Sequence, residues 1–80
     1  MGVDYRMIGG RIKQRRRGLE RTQDALAEAL GVSVGYVSQL ERGVAKINLD
    51  TLAAVAGWLG CGMGELLTGV DSARPDYLAE

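Results

Sequence analysis

The sequence predicts an all-α fold, a compact five-helix domain, on two observations. Its apolar residues recur at three- and four-residue intervals almost throughout, and no stretch alternates apolar with polar residues as a half-buried strand would. Glycines and capping residues then divide the chain into helix-sized pieces. A first helix over about residues 5–19 sets Ile8 and Ile12 four apart on its inner face, and Gly18 marks the region of its end. A second starts at Thr22, whose hydroxyl can cap it, and runs through Ala25, Leu26, Ala27 and Leu30 to Gly31, a natural left-handed stop. Ser33 caps a third over about residues 34–42, which buries Val37 and Leu40 and ends at Gly43. Asn48 caps a fourth, on which Leu49, Leu52, Ala56 and Leu59 form one stripe before Gly60 closes it. One or two turns around Met63 to Leu67 make the fifth. Residues 1–69 are therefore read as one domain. Residues 70–80, polar and holding the sole proline, are read as an extended tail, disordered or contacting a partner.

A chain of 80 residues has room for a single domain, one that buries only about 60% of the surface its unfolded form exposes. No apolar run approaches about 18 residues and no leader pattern opens the chain, so a cytoplasmic protein with no membrane partner is expected. Cys61 is the only cysteine and there is no histidine, which leaves too few soft ligands for a metal and no internal disulfide. No cofactor and no small-molecule ligand are expected. Net charge is zero but unevenly spread: residues 1–21 carry seven basic side chains against Asp4 and Glu20, and the remainder carries three against eight acidic ones. A basic amino-terminal end suits a polyanion, although a solvated helix face has the same look.

The segment "GVSVGYVSQLERG", residues 31–43, joins two short helices through Gly31-Val32-Ser33. That is the spacing of a helix-turn-helix. Ala27 is small where the two helices approach, Gly31 permits the positive φ of the turn, and Leu26, Leu30, Val32, Val37 and Leu40 supply the shared apolar contacts.

The run "RIKQRRRGLERTQDALAEALGVSVGYVSQLERG" resembles the Cro and phage-repressor type of helix-turn-helix, also called the xenobiotic-response-element family. "MIGGRIKQ" and "NLDTLAAVAGWLGCGMGELL" extend the likeness over residues 7–68 without insertion or deletion, and "TQDALAEALGVS" with "YVSQLERG" is its most diagnostic part. The resemblance implies double-stranded DNA as partner and a homodimer acting on paired half-sites. It implies that Gln23, at the start of the second helix, holds a phosphate. It also implies that Arg16 pairs with Glu41 as a structural bridge. Arg15 stands where the family has leucine or an aromatic residue, and Arg21 replaces a frequent apolar residue; either the first helix packs less tightly, or the two add cations near the DNA while their long stems cover apolar surface.

In that setting the third helix fits the major groove with its amino-terminal residues at base edges. With Val37 and Leu40 facing inward, Ser33, Val34, Gly35, Ser38, Gln39 and Arg42 face outward. Gln39 is the strongest base reader, because its amide can pair with adenine in bidentate fashion; Val34 can meet a thymine methyl, and Ser38 can serve several bases. Gly35 either admits the backbone close to DNA or is simply a weak helix residue. Ser33, Arg42 and Lys46 are further phosphate candidates. Tyr36 has two readings, an edge-packed ring and a hydroxyl on phosphate. Arg15, Arg16 and Arg17 point about 100° apart and cannot all address one strand.

"GCGMG" lacks the preceding strand and following lysine of a phosphate loop, and reads as a tight corner with Gly62 where a serine cap would be usual. Cys61 reads as a small buried hydrophobe. Trp58 lies off the main stripe; with Val55, Met63 and Leu67 it forms either a patch for a two-fold partner or an ordinary part-buried cluster. The leading function is a sequence-specific transcriptional regulator that binds a palindromic operator as a homodimer. The alternative is an antitoxin or adaptor module that uses the scaffold to hold a protein. No nucleophile, base and orienting group combine, so an enzyme is not expected.

Overall fold

Side chains cap four of the five helices in the computed structural model, which describes residues 2–72. Helix α1, Tyr5–Gly18, follows Asp4, whose carboxylate accepts the Met7 N–H at 3.0 Å. Thr22 opens α2, Gln23–Leu30, and Ser33 opens α3, Val34–Glu41; their hydroxyls accept the Ala25 and Tyr36 N–H groups at 3.0 Å each. Asn48 does the same for α4, Leu49–Leu59, through the Thr51 N–H at 2.7 Å. Each cap satisfies one of the donors a helix start leaves free, worth about 0.5–2 kcal/mol. Gly62 has no side chain to offer α5, Met63–Leu67, so Glu65 reaches back and accepts the Gly62 N–H at 2.8 Å. That hydrogen bond, and then the nearby Arg15 guanidinium, hold the exposed Glu65 carboxyl below its ordinary pKa. A 3-10 turn, Val70–Ser72, follows α5, and no strand occurs among the described residues.

Helix α4 packs against α1, α2 and α5, while α3 packs against α1 and α2. Ile8, Ile12, Leu26, Val37, Leu52, Val55 and Leu66 are fully buried, and Ala27 and Ala56 are buried in the same cluster. Complete burial of each larger side chain contributes about 1.5–3 kcal/mol. Gly9 lets α1 meet α3: a Cβ there would overlap the carbonyl oxygens of Leu40 and Glu41, which are fixed backbone.

Three features differ from the sequence expectations. Leu49 is 69% exposed, because the first residue of α4 sits beside its cap at the rim, and the buried stripe is Leu52, Val55, Ala56 and Leu59. Val55 consequently has no exposed surface and cannot belong to a partner patch. The end of α1 does fall at Gly18, and the left-handed residue that then turns the chain is Glu20, with φ of 57°. Val70 belongs to the fold rather than to a tail: it is 5% exposed, and its carbonyl accepts the Asp4 N–H at 3.0 Å. The rest of the expected tail, residues 73–80, lies outside the described residues.

Candidate nucleic-acid interface

The turn between α2 and α3 is built by backbone hydrogen bonding around Gly31, whose φ of 69° ends α2. The Gly31 N–H donates to the Glu28 carbonyl at 3.2 Å and the Val32 N–H to the Ala27 carbonyl at 3.0 Å, which turns the chain sharply into the Ser33 cap. Helix α3 is then held by Val37, at 0% exposure, and Leu40. Its opposite face carries Ser33, Val34, Gly35, Gln39 and Arg42, all exposed, with Ser38 half-buried beside them. No side-chain hydrogen bond occupies the Gln39 amide among the described residues, so its donor and acceptor are both presented to solvent. Arg42 folds back only weakly, its Nε donating to the Ser38 carbonyl at 3.4 Å.

Of the other candidates, Tyr36 is half-buried at the edge of α3. Lys46 is exposed on the connection to α4, its Nζ 6.0 Å from the centre of the Tyr5 ring. Gln23 is half-buried at the start of α2 and its Nε2 donates to Glu41 Oε1 at 2.9 Å. Glu41 also takes two hydrogen bonds from Arg16, Nε to Oε2 at 2.7 Å and Nη2 to Oε1 at 3.1 Å, forming a bidentate ion pair between α1 and α3. Both charged residues are buried, and every buried side-chain polar atom described has a partner. Trp58, Met63 and Leu67 are half-buried and packed against the core, as is Cys61.

Two contacts escaped sequence reasoning. Arg21 stacks on the Trp58 ring, 4.9 Å from its centre, and donates from Nη1 to the Trp58 carbonyl; Arg15 pairs with Glu65 at 3.3 Å. The only signal for either was a cation standing where the resembled family has an apolar residue. Neither loosens α1. Arg21 covers apolar ring surface with its planar guanidinium, and Arg15 ties α1 to α5 across the solvent boundary. Among the described residues Arg6, Arg11, Lys13, Arg17, Arg21, Arg42 and Lys46 have no carboxylate partner; of these, Arg42 and Lys46 directly follow α3.

A family model for the helix-turn-helix matches residues 12–66, most of the chain and all of the unit just described. The chain belongs to the Cro and phage-repressor helix-turn-helix family. Its similarity to the HTH-type transcriptional regulator DicA of Escherichia coli (strain K12) is 40% identity over 68 residues, 85% of this chain and 50% of that protein. The chain thus spans about half the length of that curated relative. Among solved structures, the clp gene regulator ClgR from Corynebacterium glutamicum matches with a TM-score of 0.79 at 29% identity, covering 95% of this chain and 99% of that one. The P22 c2 repressor, solved in complex with a synthetic operator, matches with a TM-score of 0.71 at 39% identity, covering 78% and 94%. The helix-turn-helix here is carried on a core that is all-helical among the described residues. No helix among the described residues is long and apolar enough to cross a membrane.

Proposed function

We propose that this chain is a sequence-specific DNA-binding transcriptional regulator that acts as a homodimer on a palindromic operator, with α3 in the major groove. The observation that carries the reading is the outer face of α3, where Gln39 stands exposed, its side-chain amide unengaged among the described residues, on a helix anchored by Val37 and Leu40. Gln39 reads adenine, Val34 meets a thymine methyl, and Ser38 adds a hydroxyl that can donate or accept. Gly35 brings the backbone close. Gln23, Ser33, Tyr36, Arg42 and Lys46 hold phosphates on either side and fix the register. The operator complex of the P22 c2 repressor supports the assignment of DNA as ligand. Val44 and Leu49, 68% and 69% exposed on the way from α3 into α4, supply apolar surface for a second copy.

Selection of sites from a randomised duplex library, run with the native protein and with Gln39→Ala at one salt concentration, tests this. A palindromic site that loses definition at one symmetric pair of positions in the variant, with a loss of about 1–3 kcal/mol on the preferred site, is the expected outcome. Equal losses on every sequence would remove base reading by Gln39. No enrichment with the native protein would overturn the DNA assignment and favour a protein-binding module.

A further inference from the structure

Glu41 sits where two demands meet, one from inside the fold and one from its surface. Its carboxylate can only accept hydrogen bonds, so the side of the Gln23 amide turned toward it must be Nε2 rather than Oε1. Ambiguity between amide nitrogen and oxygen is thereby removed by chemistry. One Nε2 hydrogen is engaged by Glu41 at 2.9 Å, and the second remains at the start of α2, where the Gln23 and Asp24 backbone N–H groups precede the first capped donor, that of Ala25. Glu41 itself has no freedom to follow Gln23. Its side chain is 1% exposed, and Arg16 grips both oxygens while donating its remaining Nη1 to the Arg21 carbonyl at 2.7 Å. Arg21 is fixed in turn on Trp58. The anchor therefore runs from α4, through the turn between α1 and α2, to the amide.

We propose that Glu41 is the positioning residue for phosphate binding by Gln23: it holds the amide with a donor directed outward in the free protein, so that binding need not order that side chain. This rests on the reading of Gln23 as a phosphate contact given above. The buried ion pair then has a role at the DNA surface that bridging two helices would not give it. Freezing a glutamine side chain costs enough entropy that loss of the anchor should weaken binding about three- to tenfold.

The test replaces the ion pair by apolar groups of similar volume, Arg16→Met with Glu41→Leu, an exchange that tends to preserve folding and leaves net charge unchanged. Affinity for a random-sequence duplex at fixed salt is measured for this variant, for Gln23→Ala, and for the three substitutions together. The expected result is a three- to tenfold loss in the presence of Gln23 and no further loss once Gln23 is alanine. Equal losses in both backgrounds, or no loss in either, would overturn the proposal. NMR order parameters of the Gln23 side-chain amide in the unaltered, DNA-free protein give a second reading that needs no variant to fold. Backbone-like order is expected, and a freely rotating amide overturns the positioning role. Absence of any DNA binding by the native protein, with the amide still ordered, would instead defeat the phosphate assignment on which the proposal rests.

Discussion

Gly9 and Gly10 are neighbours in α1 with opposite reasons to be glycine. At Gly9 a methyl group would meet the carbonyl oxygens of Leu40 and Glu41, and backbone at a helix crossing cannot withdraw without separating α1 from α3. At Gly10 the same methyl would enter open space on the exposed face. Gly9→Ala should therefore destabilise the fold by about 1–3 kcal/mol or more, the ordinary cost of overpacking. Gly10→Ala should stabilise it by about 0.5–1 kcal/mol, since alanine removes conformational freedom from the unfolded chain. Urea denaturation of the two variants checks both signs. A similar shift in the two would mean that the close crossing of α1 and α3 does not govern stability.

At the scale of the helix, α1 ends in an uneconomical way. Leu19 continues from helical Gly18, and the chain reverses at Glu20 in the left-handed region, where a Cβ crowds the following carbonyl. A glycine is present two residues too early to help. Glu20 is exposed and makes no side-chain hydrogen bond among those described, so Glu20→Gly should raise stability by about 0.5–1 kcal/mol. Thermal unfolding measures it, and a lower melting temperature would show that Glu20 contributes more through its charge than its backbone loses. This turn deserves relief of strain to be tested because it delivers both Arg21 and Thr22. The former anchors the Arg16 network, and the latter caps the helix on which Gln23 stands.

For the whole molecule, the proposed homodimer needs a surface on which two copies meet. Val55 is sealed in the core, and Trp58 is covered by Arg21, which leaves Leu49 and Val44 as the most exposed large apolar side chains described. Leu49→Asp is a clean probe, because an acid in the first turn of a helix is favourable and the native side chain contributes little to the monomer core. The monomer's melting temperature should be unchanged or slightly higher. The dimer dissociation constant should rise at least tenfold, about 1.4 kcal/mol, by sedimentation equilibrium without DNA. An unaltered dissociation constant would exclude this surface from the interface.

The helices were legible in the sequence because each is specified locally. Thr22, Ser33 and Asn48 cap within their own turn, Gly31 and Gly60 stop their helices by conformation alone, and the three-residue spacing between α2 and α3 can be counted. The outward face of α3 follows from the same periodicity, since Val37 and Leu40 fall on its inner face. Contacts between distant residues were not legible, since no local rule sets them. Only packing decided that Val55 rather than Leu49 faces inward, that Val70 completes the core beside Asp4, and that Arg21 lies on Trp58. The pairing of Arg16 with Glu41 was available from family resemblance, but the third partner was not. That Gln23 shares the same carboxylate depends on where the start of α2 meets the end of α3, a position determined by the tertiary crossing of the helices and by no sequence interval.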